Sequence, residues 1–320
     1  MHVLITGGTG TIGQRLVDHL IEHGHLVTVL SRKPYKPANL PAKIFFAHWD
    51  GLTADGWGHL LEEVDAVVNL AGAGIADEKW TPARKKLILQ SRLDAGKAVS
   101  EAFEKATNKP KVLVQASAIG YYGPSEKQVM TESSPAGQGF LPEVCVAWEN
   151  SSKAVEALEV RRVIIRTGVV LDRAGGAFPK MLIPFNFGAG GPIGSGRQWF
   201  SWIHHHDQVA AIRFLIETES ASGPFNLTAP SPLRNRAFAK AVGKVMKRPA
   251  FAPAPAFIFK LMFGEMSTVL LDGQQVVPQR LKELGYNFKF STVGPALVDL
   301  LVASNEDRSK TYVTPSKAAA

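Results

Sequence analysis

Four glycines near the amino terminus have the spacing of a turn that binds phosphate. They occupy positions 7, 8, 10 and 13, so residues 7–13 can be read as G-x-x-G-x-x-G or as G-x-G-x-x-G. Without a Cβ atom, such residues let the backbone turn tightly and approach an anion closely. Free backbone N–H groups and the positive end of a following helix then face the pyrophosphate of a dinucleotide. A glycine-rich turn without a ligand is the alternative interpretation.

The elements on both sides of this turn favour the binding interpretation. The apolar run His2–Thr6 predicts a strand, and apolar residues at helical spacing from Ile12 to Ile21 predict a helix that ends at Gly24. A second apolar run at 26–30 predicts another buried strand. A strand, a glycine turn, a helix and a strand within about thirty residues are the context that the dinucleotide fingerprint requires. We therefore predict cofactor contacts at Gly7, Gly10, Thr11, Ile12 and Gly13.

The residues that follow the second strand indicate which dinucleotide is bound. An NAD site usually has Asp or Glu at this point, where the carboxylate accepts hydrogen bonds from the ribose hydroxyls. This chain has Ser31, Arg32 and Lys33 instead. A carboxylate would repel the 2′-phosphate of NADP, whereas a hydroxyl and a guanidinium can hold it. We therefore expect NADP as the cofactor, with contacts at Ser31 and Arg32; a solvated basic turn is the alternative.

The rest of the chain alternates predicted strands and helices as far as residue 228. This alternation predicts an α/β fold, a Rossmann-type doubly wound parallel sheet. From residue 229 helices dominate, which predicts a smaller, mainly helical C-terminal lobe. Gly72 ends the predicted fourth strand, residues 65–72, where a small residue lets the backbone lie along the cofactor. Later strands are predicted at 43–50, 65–72, 112–117, 161–171, 199–204, 224–228 and 288–290, and later helices at 142–158, 178–187, 208–217, 236–246, 256–263, 268–284 and 292–302.

Composition excludes several classes of protein. The 320 residues are 45% hydrophobic, which is enough for one large domain with a smaller lobe, and no apolar run reaches the roughly 18–20 residues that span a bilayer. The formal charge of +8 is spread along the chain, so we expect no nucleic-acid partner. The single cysteine, Cys145, excludes an internal disulfide framework and fits a reducing compartment, here taken as the cytoplasm.

A histidine run and a glycine-dense loop also contain reactive side chains. His204, His205 and His206 are consecutive at a strand end, so they point in different directions, and no carboxylate cluster accompanies them. We therefore expect no metal site. The loop at 188–198 is dense in glycine, which favours a lid or a binding loop over packing. Its one guanidinium, Arg197, is a candidate contact for an anionic group of the substrate.

These features together resemble the extended short-chain dehydrogenase/reductase superfamily, and more closely its atypical branch of epimerase-family proteins. The resemblance extends from Leu4 to about Val302. Its marks are residues 6–13, 31–34, 69–72, 91–92, 120–123, 166–171, 190–196 and 202–204, with Asp207.

The resemblance implies a division of the chain into two parts. Residues 1–178 with 199–228 would form an NADP-binding Rossmann domain, and residues 179–198 with 229–302 a substrate lobe. Residues 303–320 are expected to form a flexible tail. The expected partners are a small-molecule substrate and a second copy of the chain in a homodimer, with no nucleic acid and no membrane.

The resemblance also implies cofactor contacts beyond the glycine turn, Ser31 and Arg32. These are Leu70, Ala71, Arg92 and a contact near Val170. Arg92 lies in a long helix predicted to begin at Thr81 and Pro82. On residue type alone, an arginine in this helix would be assigned to the surface.

The sequence departs from the superfamily's pattern where the chemistry is expected. Typical members have Tyr-x-x-x-Lys on the helix after the fifth strand; the lysine lowers the pKa of the tyrosine, which exchanges a proton with the substrate hydroxyl. Here Cys145 stands for the tyrosine and Glu149 for the lysine. Lys153 lies one turn later and cannot occupy the same place. Cys145 could alternatively act as a nucleophile. This role is disfavoured, because Cys145 lies among apolar helix residues and the sequence offers no base with a clear geometry to activate it.

Three residues after the fifth strand are the candidates to replace this pair. Tyr121 and Tyr122 lie close to the expected position of the nicotinamide, and Ser117 lies near the usual Ser/Thr position, although motif register puts Ala118 there. A structural role for Tyr122 is the alternative, since relatives with an intact pair also carry a tyrosine before this glycine. The sequence therefore supports two functions: an NADP-dependent oxidoreductase or nucleotide-sugar-epimerase-like enzyme, or a non-catalytic NADP-binding sensor or regulatory protein with a degenerate active site.

Overall fold

A seven-stranded parallel sheet lies at the centre of the computed structural model, which describes residues 1–38 and 40–303. In chain order, the strands are β1 (His2–Thr6), β2 (Leu26–Ser31), β3 (Phe45–His48), β4 (Ala66–Asn69), β5 (Val112–Ala118), β6 (Val129–Met130), β7 (Arg161–Thr167), β8 (Val169–Leu171), β9 (Trp199–Phe200), β10 (Trp202–His204), β11 (Gly223–Leu227), β12 (Leu233–Arg234) and β13 (Gln275–Val276). The central sheet has the order β11-β7-β5-β4-β1-β2-β3. Strand order reverses beside β1, and nucleotides bind at such a reversal in doubly wound sheets.

Helices cover both faces of this sheet and form most of the remaining lobe. They are α1 (Thr11–Glu22), α2 (Pro82–Lys105), α3 (Phe140–Asn150), α4 (Phe178–Asn186), α5 (His205–Glu217), α6 (Asn235–Met246), α7 (Ala256–Phe263), α8 (Thr268–Leu271), α9 (Gln279–Glu283) and α10 (Val293–Val298). Short 3₁₀ turns lie at 58–63, 119–122, 153–158 and 264–267, and a π-helical turn lies at 299–303. No helix among the described residues combines the length and the apolar character needed to cross a bilayer.

Side-chain alternation along β1 separates two apolar layers. Val3 and Ile5 pack on one face of the sheet with Leu16 of α1 and with residues of α5. Leu4 packs on the opposite face with residues of α2, such as Val99. The two faces are therefore buried under different helices, as the predicted Rossmann-type sheet requires.

A third apolar cluster belongs to the smaller C-terminal lobe. It joins Phe178 of α4, Phe238 of α6 and Leu297 of α10. All three side chains are at most 2% exposed. The predicted smaller, mainly helical lobe is therefore confirmed as part of the fold.

The predicted single helix at 268–284 is wrong. The segment forms the one-turn helix α8, the short strand β13 and the helix α9. A Cβ atom at Gly273 would lie 2.0 Å from the carbonyl oxygen of Trp199, so this glycine allows a close backbone contact that a helix would prevent. Pro278 lacks the N–H that a continuous helix would need. Apolar periodicity alone did not reveal these two interruptions.

Three other predicted elements differ in detail. The strand predicted at 199–204 is divided at Ser201, and its two parts, β9 and β10, pair with different strands, β12 and β8. Residues 288–290 form no strand, because Asp207 accepts hydrogen bonds from the backbone N–H groups of Lys289 and Phe290, each at 2.9 Å. The helix predicted at 142–158 is α3 followed by a 3₁₀ turn. The predicted tail lies outside the described residues from 304 onward.

Candidate functional site

The glycine turn lies between β1 and α1 and is packed so closely that side chains are excluded. Gly7 has a φ of +68°, and a Cβ atom there would lie 2.9 Å from the carbonyl carbon and oxygen of Leu70. A Cβ atom at Gly13 would lie 2.3 Å from the carbonyl oxygen of Gly7. Gly10 precedes the first residue of α1, Thr11, without a side-chain cap. The amino end of α1 therefore offers backbone donors and the positive end of a helix dipole to an anion.

A cavity of about 370 Å³ adjoins this turn. It is lined by Gly10 and Thr11 from the turn and by Ala174 from the segment that follows β8. The segment is fixed by Asp172, which accepts two hydrogen bonds from Arg15 of α1, both at 2.9 Å. The space above the amino end of α1 is therefore bounded by a loop tied to the same helix.

Ser31 and Arg32 lie at the carboxyl end of β2, at the same edge of the sheet as the glycine turn. Ser31 is buried, and its hydroxyl oxygen accepts a hydrogen bond from the Lys33 N–H at 3.1 Å. Arg32 is exposed, and within the described residues its guanidinium forms no ion pair. The position offers a cation and a hydroxyl to a ligand without a competing carboxylate on that strand end.

The end of β4 is held against the glycine turn by the Thr6 hydroxyl. This hydroxyl donates to Asn69 Oδ1 at 2.6 Å and accepts from the Ala71 N–H at 3.2 Å. The Leu70 N–H donates to the carbonyl oxygen of Thr6 at 3.2 Å. These bonds place residues 70–72 directly beside Gly7.

Arg92 of α2 is buried next to this strand end. One of its guanidinium nitrogens donates to the carbonyl oxygens of Ala73 and Ile88, at 2.9 and 2.7 Å. Its guanidinium carbon lies 4.6 Å from the ring centroid of Trp148. Its Nε is buried without a hydrogen-bond partner among the described residues. Burial lowers the pKa of Arg92 to about 10. A buried cation without a carboxylate partner is costly, so this side chain suits an anionic ligand.

Val170 lies on the opposite side of the turn, in β8. It is half-buried against the apolar layer that contains α1 and α5. Ile12 of α1 is also half-buried against that layer. The structure thus brings the predicted cofactor residues that lie at the ends of β1, β2 and β4 to one edge of the central sheet, as parallel strands dictate. Val170 lies just beyond the carboxyl end of β7, in β8, which pairs with β10 outside this sheet.

The positions of the superfamily's Tyr-x-x-x-Lys pair are both buried on α3. Burial raises the pKa of the Cys145 thiol to about 11, so it is protonated at neutral pH. Glu149 accepts a hydrogen bond from the Ser117 hydroxyl at 2.7 Å and faces the guanidinium of Arg166. Ser117 and Glu149 therefore belong to one hydrogen-bonded group at the end of β5.

Arg166 of β7 lies behind both candidate tyrosines. Its guanidinium carbon is 3.4 Å from the ring centroid of Tyr121, and its Nη1 donates to the hydroxyl of Tyr122 at 3.1 Å. The Tyr122 hydroxyl donates to Asn226 Oδ1 at 2.7 Å, and burial raises its pKa to about 12. Tyr121 is only half-buried, and its hydroxyl makes no hydrogen bond to any described residue. The two adjacent tyrosines therefore differ in their environment.

A buried carboxyl completes the polar group behind Tyr122. Glu132 is 5% exposed and accepts hydrogen bonds from the backbone N–H groups of Asn226 and Arg280, at 3.0 and 3.3 Å. Its backbone carbonyl accepts from Arg166 Nη1 at 3.3 Å. Desolvation raises the pKa of the Glu132 carboxyl. These contacts fix Arg166 from the side opposite Glu149.

Arg197 lies on the glycine-dense loop, far along the chain from these residues. Its side chain is exposed and has no ion pair or side-chain hydrogen bond among the described residues. Its carbonyl oxygen accepts a hydrogen bond from Arg234, whose guanidinium lies 4.0 Å from the ring centroid of Trp199. The loop is therefore held by backbone contacts, while the guanidinium of Arg197 is free to meet a ligand.

The three consecutive histidines have different surroundings, as their positions predict. His204 is buried and lies 4.0 Å from the ring centroid of Phe290. His205 lies 4.4 Å from His204 between ring centroids, and His206 lies near His19 of α1. His204 caps the amino end of α5, where one of its ring nitrogens accepts a hydrogen bond from the His206 N–H at 3.1 Å.

Sequence reasoning missed Arg166, Glu132 and Asn226. A signal for Arg166 was present, since an arginine within the apolar run of a central parallel strand must find a buried partner. The charge of Glu149 on α3 was the matching signal. Glu132 and Asn226 gave no comparable signal, because both lie in segments whose burial depends on distant parts of the chain.

Comparison with known proteins assigns the family. A profile of the NAD dependent epimerase/dehydratase family matches residues 3–140. A profile described as a domain of unknown function (DUF1731) matches residues 254–300. An epimerase family protein of Staphylococcus aureus (strain bovine RF122 / ET3-1) is 40% identical over 300 residues, which cover 93% of this chain and 98% of that protein.

Solved structures agree with this assignment. The human epimerase family protein SDR39U1 (isoform 2), solved with NADPH, is 38% identical with a TM-score of 0.86, over 94% of this chain and 99% of that chain. A nucleoside-diphosphate sugar epimerase from Corynebacterium glutamicum is 28% identical with a TM-score of 0.75, over 99% of this chain and 62% of that chain. The resemblance predicted from the sequence is confirmed: this chain belongs to the NAD-dependent epimerase/dehydratase family.

Proposed function

We propose that the protein binds NADP at the carboxyl edge of its central sheet and acts as an oxidoreductase or epimerase on a small polar substrate. The observation that carries the proposal is the glycine turn, where Gly7 and Gly13 exclude side chains and the amino end of α1 faces a cavity of about 370 Å³. Such a turn suits the pyrophosphate of a dinucleotide. Thr11, Ile12 and Gly10 would border the same group.

The choice of NADP over NAD rests on charge at the end of β2. Arg32 has no carboxylate partner among the described residues, and Ser31 adds a hydroxyl. A guanidinium binds a 2′-phosphate, whereas it gives no special advantage to a ribose hydroxyl. The NADPH in the structure of the 38% identical human protein supports the same choice.

Arg92 supports a second contact to the cofactor. Its guanidinium is buried beside Gly72 and Ala73, with Nε unpartnered among the described residues. A phosphate or polarised group of the dinucleotide would compensate this buried charge. Leu70, Ala71 and Val170 would supply the backbone and apolar edges of the same site.

Tyr121 is the residue we propose for proton transfer. When bound, NADPH supplies a hydride to a carbonyl carbon of the substrate, and a proton must reach the carbonyl oxygen. The Tyr121 hydroxyl is unbonded within the described residues, and the guanidinium of Arg166 lies 3.4 Å from its ring centroid, where a cation stabilises negative charge on the ring. Tyr122 and Ser117 are less suited, because both hydroxyls already donate inside the protein.

Arg166 would thus take over the charge that a lysine supplies in typical relatives. Glu149, at the lysine position, is held by Arg166 through two hydrogen bonds of 2.8 and 2.9 Å. The pair keeps the guanidinium in place while its face rests on Tyr121. The exposed guanidinium of Arg197 is our proposed contact for an anionic group of the substrate.

A non-catalytic NADP sensor is the second candidate function. The observation that favours it is the burial of Cys145 and Glu149, the two positions where typical relatives have tyrosine and lysine. A thiol whose pKa burial raises to about 11 is a poor base at neutral pH. In this reading the site binds the cofactor and changes conformation without turnover.

One set of measurements separates these functions. NADPH should raise the melting temperature more than NADH at equal concentration, and a panel of carbonyl compounds should be screened for oxidation of NADPH. For a compound that reacts, Tyr121→Phe should lower kcat by about a hundredfold or more with NADPH binding unchanged, whereas Tyr35→Phe, an exposed control, should have no effect. Full activity in Tyr121→Phe would exclude the proposed proton donor. NADPH binding without turnover across the panel would favour the sensor.

Several expectations stay predictions. The division into an NADP-binding domain (1–178 with 199–228) and a substrate lobe (179–198 with 229–302), the homodimer and the cytoplasmic location are proposals of this kind. The lobe proposal is supported by the apolar cluster that joins α4, α6 and α10, which also includes Leu171, Phe200 and Trp202 of the proposed NADP-binding domain. Limited proteolysis, size-exclusion chromatography and localisation of a tagged chain would test them in turn.

A further inference from the structure

A group of imidazoles and a carboxylate lies at the carboxyl end of α1, at the opposite end of the helix from the glycine turn. His19, Glu22 and His23 each present one ligand atom, and these three atoms lie within 4.8 Å of one another. Positions i, i+3 and i+4 of a helix share one face, so the secondary structure itself brings the three side chains together. None of the three belongs to the proposed cofactor site.

The ligand types and spacing suit a zinc-class ion. Ligand atoms bound to one tetrahedral zinc at about 2.0–2.2 Å lie roughly 3.4 Å apart. The present separations, up to 4.8 Å, are longer, so Glu22 and His23, both exposed, would have to rotate to bind one ion together with His19. Two imidazoles and one carboxylate favour Zn²⁺ over Mg²⁺ or Ca²⁺, which prefer oxygen ligands throughout.

The two histidines present unprotonated nitrogens. The Nδ1 of His23 lies 2.7 Å from the carbonyl oxygen of His19, to which it can only donate, so Nε2 keeps its lone pair. An outer hydrogen bond of this kind is usual for metal-binding histidines, because it fixes the ring and its tautomer. His19 Nε2 accepts a hydrogen bond from Arg213 Nε at 3.2 Å, so this nitrogen also carries a lone pair.

A third imidazole approaches this group from α5. His206 lies 6.1 Å from His19 between ring centroids, and a cavity of about 350 Å³ between α1 and α5 is lined by both rings and by Glu22. Its Nδ1 is buried and has no hydrogen-bond partner among the described residues. An oxygen of Asp207 lies 3.9 Å from it, which is too far for such a bond.

Arg213 is the competitor for this position. Its Nε donates to His19 Nε2 at 3.2 Å, and its Nη1 contacts both oxygens of Glu217, at 3.2 and 3.0 Å. An ion bound to His19 Nε2 must displace the contact between Arg213 and His19, but it leaves the contact between Arg213 and Glu217 intact. The guanidinium therefore weakens the site without abolishing it, because Glu217 can hold the displaced side chain.

We propose that His19, Glu22 and His23, joined by His206, form a site for a divalent ion of the zinc class that ties the end of α1 to the start of α5. The sequence-based expectation of no metal rested on the run at 204–206 and on the absence of a Cys/His spacing typical of a structural zinc. The tertiary structure differs from this expectation, because it brings His206, one member of that run, close to the metal-binding side chains of α1. Binding at this site would stabilise the folded chain by mass action.

Titration of the untagged full-length chain with Zn²⁺ tests the proposal. We expect one high-affinity equivalent per chain and a higher melting temperature with Zn²⁺ but not with Mg²⁺. His23→Ala, at an exposed position, should weaken binding about tenfold or more, whereas His59→Ala, another exposed histidine, should leave it unchanged. Arg213→Gln should strengthen binding, because the competing donor is removed. Absence of a zinc equivalent in the wild-type chain, or equal affinities for His23→Ala and His59→Ala, would overturn the site.

The role of His206 has its own test. Co²⁺ bound at a four-ligand tetrahedral site absorbs visible light far more strongly than six-coordinate Co²⁺, so its spectrum reports the geometry. We expect a strong visible band with the wild-type chain and a weaker, shifted band with His206→Ala. The same spectrum in both proteins would exclude His206 as a ligand. The NADPH-induced shift of the melting temperature should be the same in both, which separates this site from the cofactor site.

Discussion

Arg166 and Glu149 form a two-point ion pair beneath the ring of Tyr121. Nε and Nη2 of Arg166 lie 2.8 and 2.9 Å from the two carboxylate oxygens of Glu149, and both side chains are at most 9% exposed. Nη1 of the same guanidinium contacts the Tyr122 hydroxyl. One buried cation therefore joins the end of β5, helix α3 and the two candidate tyrosines.

Removing one member of this pair should be more damaging than removing both. Arg166→Met leaves Glu149 charged and buried, and should lower the free energy of unfolding by about 3–5 kcal/mol. Combining it with Glu149→Met should recover part of this loss, because no unpaired charge remains. Urea unfolding of the two single variants and the double variant measures the coupling. Strictly additive effects would show that the pair contributes no interaction energy.

Gly13→Ala should abolish NADPH binding. The new Cβ atom would lie 2.3 Å from the carbonyl oxygen of Gly7 and 2.6 Å from the Cα of Gly8, so the turn must open. The matched control is Gly294→Ala, where no atom lies within 4 Å of the new methyl group. Fluorescence titration with NADPH should show no saturable binding to the first variant and wild-type affinity for the second. Equal affinity in the two variants would remove the glycine turn from the cofactor site.

Arg32→Asp should reverse the preference between the two nicotinamide cofactors. A carboxylate at this position would repel the 2′-phosphate and accept from the ribose hydroxyls, so NADPH affinity should fall about tenfold or more while NADH affinity holds or rises. Lys33→Asp changes the charge equally at the next exposed position and should have a smaller effect. Dissociation constants for both cofactors measure this. An unaltered NADPH/NADH ratio in Arg32→Asp would contradict the role of Arg32.

Stability should fall as the pH is lowered from 6.5 towards 4. Burial lowers the pKa of His204 to about 3, although an oxygen of Asp299 lies 3.2 Å from its Nε2, and burial lowers that of His19 to about 4. Between these values and 6.5 the unfolded chain binds protons that the folded chain does not, so protonation favours unfolding. Each histidine should contribute at most about 1.4 kcal/mol per pH unit.

A variant isolates the contribution of His204 to this pH dependence. His204→Asn keeps a side-chain acceptor at the start of α5 and removes the titrating ring. The slope of unfolding free energy against pH should become shallower in this variant, whatever its absolute stability. The same slope should persist in His59→Asn, since that side chain is exposed. Identical slopes in wild type and His204→Asn would show that another group governs the acid sensitivity.

Local sequence was sufficient to predict the elements that form the carboxyl edge of the sheet. The run His2–Thr6, the glycines at 7–13 and the apolar helix after them specify one strand–turn–helix unit, because each signal is contained within a few residues. Ser31 and Arg32 follow a strand whose partner is the neighbouring β1, so their place at the same edge follows from parallel pairing. The position of the proposed cofactor site therefore follows from local sequence.

The interrupted elements show what local patterns cannot determine. The segment at 268–284 has helical periodicity, yet Gly273 packs against the backbone of Trp199, more than seventy residues earlier. The strand predicted at 199–204 is interrupted at Ser201, whose hydroxyl donates to the carbonyl of Gln274 and accepts from the Val276 N–H. Such contacts join distant parts of the chain, and no local pattern specifies them.

The sequence by itself determined the sheet, its glycine turn and the charge at the end of β2, since these depend on periodicity, glycine spacing and residue type. Only the tertiary structure decided that Arg166 neutralises Glu149, and that Tyr121 rather than Tyr122 has a hydroxyl without a hydrogen bond to any described residue. It also decided that His206 lies 6.1 Å from His19 between ring centroids. The physical reason is range. Backbone preferences act over a few residues, whereas buried charges and hydroxyls must be satisfied by whichever distant groups the packed fold brings within about 3 Å.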